Sequence, residues 1–156
     1  MSRQNVEFKT GDGVTLRGWL YTPSPTTVEK LPCLVMFHGF TALKEMALDK
    51  FAEAFVSNLR LAVLVYDNRG FGASEVAPGQ PRYEIIPQLQ ISDLQDAITY
   101  AQTRDEVDAA KIGIWGSSYS GGHVLYVAAI DRRVKACISQ VSYETPKSII
   151  NILTDS

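Results

Sequence analysis

The sequence predicts an α/β fold, a mostly parallel sheet with flanking helices, and three observations carry that prediction. Near-continuous apolar runs recur at residues 31–37, 61–66 and 111–115, as in strands covered on both faces. Segments with apolar residues at helical spacing lie between them. Each run leads into a short glycine-bearing segment: His38-Gly39-Phe40, then residues 67–74, then residues 116–122. Strands that alternate with helices imply a parallel sheet with right-handed crossovers. Ligands of such sheets sit beyond the carboxyl ends of the strands, so the three segments are expected to share one rim.

Taken in order, residues 6–9 and 14–21 read as two strands joined by Thr10-Gly11-Asp12-Gly13, whose Asp-Gly centre suits a tight turn. Leu16, Gly18 and Leu20 alternate with Arg17 and Trp19, the pattern of a partly exposed edge hairpin. Thr22-Pro23-Ser24-Pro25 breaks the second strand. The run at 31–37 comes next, then a loop reaching Lys44. Leu48, Phe51, Ala52, Phe55 and Leu59 follow as one apolar helix face. After the strand at 61–66, a polar loop holding Pro78, Pro81 and Pro87 leads to a second helix marked by Ile91, Leu94, Ile98 and Ala101. A third helix follows the strand at 111–115 and runs to about Ala129. Residues 134–141 form a last strand, apolar at Val134, Ala136, Cys137, Ile138 and Val141. Pro146 comes soon after, and residues 148–153 begin another helical pattern.

The third glycine-bearing segment is the most informative. Ile112-Gly113-Ile114-Trp115 runs straight into Gly116-Ser117-Ser118-Tyr119-Ser120-Gly121-Gly122-His123, which is strand, sharp turn and helix in quick succession. A nucleophile elbow of this kind needs small residues two before and two after its serine, because larger side chains would collide in so tight a turn. Gly116 and Ser120 meet that need around Ser118, with Ser120 standing where glycine is usual. Ser118 would then present its hydroxyl above the sheet, and the Tyr119 N–H would face a developing oxyanion. A plain small-residue connection is the bland reading. A phosphate loop is disfavoured because His123, and not Lys, follows Gly121-Gly122, and the glycine spacing of a dinucleotide fingerprint is absent.

Composition narrows the rest. The 156 residues are 46% hydrophobic and 21% charged, which suits one globular domain over residues 1–156. A net charge of -2 argues against a nucleic-acid partner. No apolar run approaches the roughly 18 residues of a membrane span, and no leader of secretory form opens the chain. Cys33 and Cys137 sit in strand-like runs, as buried free thiols would. A cytoplasmic protein without membrane partners is the expectation.

On its three segments, in this order, the chain resembles the α/β-hydrolase superfamily across residues 5–141. The matching residues are His38-Gly39-Phe40, Asp67-x-Arg69-Gly70-x-Gly72-x-Ser74 and Gly116-x-Ser118-x-Ser120-Gly121-Gly122. Within the superfamily it is similar to the dienelactone-hydrolase-like and serine-aminopeptidase-like branch, and to fungal relatives that move or release polyketide chains. The resemblance implies that Ser118 is the nucleophile and that the N–H groups of Phe40 and Tyr119 form the oxyanion hole. His38 and Gly39 would support the oxyanion loop, Gly116 and Ser120 the elbow, and Arg69 and Ser74 the loop after the fourth strand. Asp67 precedes the serine, against the chain order of the triad, and would anchor its own loop. The implied chemistry is acyl transfer from a small ester, thioester or similar substrate through a covalent ester, with no metal or organic cofactor. In the family's strand order, the strands of Cys33 and Cys137 flank the elbow strand on opposite sides.

The departure from the family lies after Ser118. The acids there are Asp131, Glu144 and Asp155, and no histidine follows any of them. His123 lies on the elbow helix, which leads away from the serine, and His38 belongs to the oxyanion loop. The expectation is a C-terminally incomplete domain that holds a nucleophile and lacks the acid and histidine loops. The alternative is a catalytically incomplete fragment or relic that acts only by pairing with another chain. On either reading the strand at 134–141 is expected to be an open edge, available to a second copy or to a complementing chain.

Overall fold

The computed structural model describes residues 1–24 and 29–140. Among these residues, six strands form one sheet in the order β1-β2-β4-β3-β5-β6. They are β1 Ser2–Lys9, β2 Thr15–Thr22, β3 Leu31–Phe37, β4 Ala62–Tyr66, β5 Val107–Ser117 and β6 Val134–Gln140. The four strands from β4 to β6 run parallel, while β2 is antiparallel to both β1 and β4. The connections are α1 Leu48–Asn58, α2 Pro87–Gln102 and α3 Tyr119–Ile130.

Two hydrophobic layers hold the sheet. In β3, Cys33, Val35 and Phe37 face α2 and α3, and Leu34 and Met36 face α1. β4 repeats this with Ala62, Leu64 and Tyr66 against Val63 and Val65. Both faces are buried, which is why these strands read as continuous apolar runs without alternation. Each large apolar side chain taken fully out of water contributes about 1.5–3 kcal/mol, so the central strands supply most of the driving force.

One expectation needs correction, the apolar face of α1. The hairpin of β1 and β2 lies at an edge of the sheet as expected, with β1 outermost and β2 paired to β4 on its inner side, and with Leu16, Gly18 and Leu20 buried while Arg17 and Trp19 are partly exposed. Gly18 explains how β2 fits there, since a Cβ at that position would meet the Val65 carbonyl at 2.1 Å. The inward face of α1 is Leu48, Ala52 and Val56, while Phe51 and Leu59 are exposed. The i, i+4, i+8 row won because Phe51 instead turns toward the rim, where its ring packs 5.4 Å from Trp115. The strand at 134–141 is seen as β6, an edge among the described residues; Val141 and the helical pattern at 148–153 lie outside them.

Arg69 ties three distant segments together. Its guanidinium donates to both carboxylate oxygens of buried Asp93 on α2 and to both of Asp12 in the β1–β2 turn. The Arg69 hydrogen bonds hold the Asp12 carboxyl down at about 2. Burial pushes Asp93 up to about 6 even with Arg69 beside it. Replacing Arg69 by Met should therefore cost about 3 kcal/mol in denaturant unfolding, because Asp93 loses its partner in the core. Asp12→Asn should cost only about 1 kcal/mol, since Asp12 is nearly half exposed and screened by water. The Asp12 carboxyl is held below its ordinary 3.8, so its stabilisation is present above that pH and lost as pH falls through about 2. The Asp12→Asn variant should show a correspondingly flatter acid limb.

β5 separates β3 from β6, with Cys33 opposite Ile112 and Cys137 opposite Ile114. Two strand spacings are about 9.6 Å, beyond the roughly 7 Å between bridged Cα atoms. Both thiols are free, and burial pushes Cys33 up to about 12. Thiol titration should count two free thiols in the unfolded, unreduced protein, with Cys33 silent until the chain unfolds. A count of zero would contradict this strand order.

Candidate active site

The carboxyl ends of β3, β4 and β5 bring the three glycine-bearing segments to one rim. The chain leaves β5 at Ser117 and enters α3 at Tyr119, leaving Ser118 alone to make the turn. Ser118 has φ 56° and ψ -119°, a conformation that L-residues adopt only under constraint. The constraint is visible on both sides. A Cβ on Gly116 would lie 2.3 Å from the Ser120 carbonyl oxygen, so the turn closes only over a glycine. Ser120 is fully buried, and its hydroxyl accepts the Ser117 N–H at 2.8 Å. That hydroxyl also lies 3.0 Å from the Phe37 carbonyl and 2.9 Å from the Ser117 carbonyl, so it can donate to either. Ser120 is thus a tie between the elbow and β3, a role that size alone did not reveal. The Ser118 N–H donates to the Gln140 carbonyl at the end of β6.

The loop after β3 lies directly against this turn. A Cβ on Gly39 would meet the Ser117 carbonyl at 2.8 Å and the Ser118 Cβ at 3.3 Å, so glycine permits the approach. The Phe40 and Tyr119 rings meet edge to face at 5.6 Å. Among the described residues, neither the Phe40 N–H nor the Tyr119 N–H has an acceptor, and neither does the Ser118 hydroxyl have a partner. Tyr119 opens α3, where the first N–H groups have no acceptor within the helix. A hydroxyl and two unpaired N–H donors are therefore gathered around one strained residue. Beside them is a cleft of about 320 Å³ whose apolar wall includes Phe40, Met46, Phe51 and Trp115.

His38 is buried and fully engaged. Its Nε2 accepts the Asn68 N–H at 3.0 Å, which leaves Nδ1 to donate to the Gly39 carbonyl at 2.9 Å. Burial lowers its pKa below that of a free imidazole. This neutral tautomer has no lone pair left for a serine proton. His123 is also buried, stacked on Phe37 at 6.1 Å and edge-on to Tyr119 at 4.7 Å. Desolvation lowers its pKa, and its Nδ1 has no partner among the described residues. Asp131 pairs with Arg133 in the turn before β6, away from the elbow. Glu144 and Asp155 lie outside the described residues.

Asp67 is the residue that sequence reasoning undervalued. It is fully buried, and its carboxylate accepts the Lys44 N–H at 2.9 Å, the Ala73 N–H at 3.0 Å and the Lys44 ammonium. Burial works against the Lys44 charge, yet hydrogen bonds to Asp67 and Glu45 hold its pKa above the ordinary value. Gly72 is required beside it, since a Cβ there would lie 2.2 Å from Asp67 Oδ2. Ser74 donates to the Asp67 carbonyl at 2.7 Å and accepts the Arg17 N–H, so it fixes this loop to β2.

The match that places the chain covers residues 32–154 and belongs to the alpha/beta hydrolase fold. The chain is an alpha/beta hydrolase fold family member. Its sequence is 42% identical to a thiohydrolase of Eupenicillium brefeldianum over 88% of this chain and 42% of that protein. It is likewise 42% identical to the polyketide transferase af380 of Aspergillus fumigatus, over 89% of this chain and 45% of that one. Among solved structures it is similar to the alpha/beta hydrolase GrgF from Penicillium, with a TM-score of 0.82 and 35% identity over 98% of this chain and 52% of that chain. The chain thus spans about half the length of the relatives it matches. No helix among the described residues of this alpha/beta hydrolase is long and apolar enough to cross a membrane.

The elbow geometry makes a stability prediction. Gly116→Ala should cost more than about 2 kcal/mol in unfolding experiments, because its methyl group meets immovable backbone. Ser120→Ala should cost about 1–3 kcal/mol by stranding the Ser117 N–H. A neutral Gly116→Ala would show that the turn is looser than described.

Proposed function

We propose that this chain carries the nucleophile and oxyanion hole of a serine hydrolase or acyltransferase that acts on an ester, thioester or similar acyl substrate. The observation that carries the reading is Ser118 itself, held in a strained turn, its hydroxyl and the nearby N–H groups of Phe40 and Tyr119 all without a partner among the described residues. Ser118 Oγ attacks the acyl carbonyl carbon, and the negative charge that moves onto the carbonyl oxygen is met by those two donors. Collapse expels the alcohol or thiol and leaves an ester on Ser118. Water or a second nucleophile then takes the acyl group, regenerating the hydroxyl. Names of relatives, thiohydrolase and polyketide transferase, support both of these last steps without choosing between them.

Proton transfer from Ser118 needs a base within about 2.6–3.2 Å. His38 has no free lone pair and His123 is packed between aromatic rings, so neither serves. The base in this reading comes from outside the described residues, either from further sequence of the kind the longer relatives have or from a complementing chain. A second reading, a partner-dependent or inactive relic, rests on that same want of a base among the described residues.

The 156-residue chain alone should hydrolyse an activated aryl ester at close to the background rate, with Ser118→Ala changing little. Adding the C-terminal half of a full-length relative should restore turnover only when Ser118 is present. Rapid hydrolysis by the chain alone, abolished by Ser118→Ala, would overturn the assignment of the base, and His38→Ala would then be the informative variant.

A further inference from the structure

We propose that the buried Lys44–Asp67 pair is a positioning latch for the oxyanion loop, holding the segment from Gly39 to Ala47 in the strained shape that keeps the Phe40 N–H unpaired beside Ser118. The inference rests on the reading of Ser118 as nucleophile and assigns its oxyanion hole a second tier of residues.

The loop does not hold its own shape. Thr41 and Ala47 both have positive φ, 53° and 73°, although neither is glycine. Such residues are strained and persist only where surrounding contacts fix them. The loop's internal backbone bonds are sparse: Ala42 N–H to the Gly39 carbonyl at a long 3.4 Å, and Met46 N–H to the Leu43 carbonyl at 3.0 Å. No side chain caps α1 at Ala47. Lys44 stands between the two strained residues and is the loop's deepest side chain toward β4. It grips Asp67 twice, through its backbone N–H and its ammonium, and the ammonium also lies 4.7 Å from the centre of the Trp19 ring.

The other end of the latch is rigid. Asp67 directly follows β4, takes the Ala73 N–H, and closes over Gly72 with no room for a side chain. The next residue, Asn68, donates its N–H to His38 Nε2 and its amide to the His38 carbonyl. The β4 loop therefore holds the oxyanion loop at two points, His38 before Phe40 and Lys44 after it. A surface Lys–Asp pair would add little, whereas this one is buried and engages a backbone N–H.

The test compares Lys44→Met with the double variant Lys44→Met/Asp67→Asn. The single variant leaves a buried carboxylate with backbone N–H donors but no cation to balance its charge, and loses stability. The double variant removes both charges and should recover most of the lost melting temperature. Two readouts then separate positioning from stability. Hydrogen exchange of the bonded loop amides, those of residues 42, 44 and 46, should rise at least tenfold in the double variant while that of β3 and β5 stays unchanged. With the C-terminal half of a full-length relative added to supply the base, labelling of Ser118 by an alkyl fluorophosphonate, followed by mass spectrometry, should fall about tenfold relative to the unmodified chain, short of the 10²–10³ lost with a whole donor. Exchange and labelling that recover together with melting temperature would overturn the latch and leave the pair a stability element. The exchange readout does not depend on Ser118 chemistry. Labelling that survives Ser118→Ala would instead sink the nucleophile reading and leave the latch to be decided by exchange.

Discussion

The structure depends on a close approach of three backbone segments at the carboxyl rim, which only absent side chains allow. Gly116 lets β5 fold back over Ser120, and Gly39 lets the next loop touch Ser117 and Ser118. With both contacts made, the turn has one residue left to reverse direction, and Ser118 is forced to positive φ. That the Ser118 hydroxyl and the Tyr119 N–H have no partner among the described residues is a consequence of that packing, since a strand that feeds a helix through one residue leaves the helix's first donors open. Steric exclusion sets the site's geometry before any charge is considered.

Polar groups then fix what sterics permit. Asp67, Arg69 and Ser74 follow β4 within eight residues, and each bonds to a different segment: the loop after β3, α2 with the β1–β2 turn, and β2. These bonds are buried or partly so, where a lost partner costs more than a made bond contributes. Burial also keeps His38 neutral, and neutrality lets it accept from Asn68 and donate to Gly39 at once. A protonated ring would have two donors and could not accept the Asn68 N–H. The histidine nearest the serine is thus a brace because of the same desolvation that would make it a poor cation.

Much of this was legible in the sequence, for identifiable reasons. β3 and β4 were visible because burial on both faces leaves uninterrupted apolar runs, and Gly116-x-Ser118 because a steric requirement writes itself as small residues. The edge hairpin was visible in the alternation of Leu16, Gly18 and Leu20 with Arg17 and Trp19, but the partners of its outer face were not: Trp19 lies under Arg3 and Lys44, and Arg17 is held by Glu7 and Glu75. The face of α1 was misjudged because Phe51 is apolar for the rim cleft and not for the core, and periodicity cannot distinguish two apolar destinations. Ser120 was read by size alone, and its hydrogen bonds became apparent only with Phe37 beside it. The Lys44–Asp67 pair spans 23 positions, and no local pattern signals a partner so far away.

Backbone strain gives an account of the site that needs no motif. Among the described residues, the non-glycine positive-φ positions are Thr41, Ala47, Tyr83 and Ser118. Thr41, Ala47 and Ser118 flank or form the meeting of the loop after β3 with the turn between β5 and α3, and the Tyr83 ring packs on Phe71, which packs on His38. None lies in a strand or at the opposite end of the sheet. At about 1–3 kcal/mol each, four such residues cost an amount comparable to the whole net stability of a domain. Strain of that size, gathered at one rim, requires offsetting contacts at the same rim. Those contacts are the buried carboxylate of Asp67, the neutral ring of His38 and the Ser120 hydroxyl. Their side chains are polar because the groups they must hold are backbone N–H and C=O left over by the turns, which an apolar neighbour would strand.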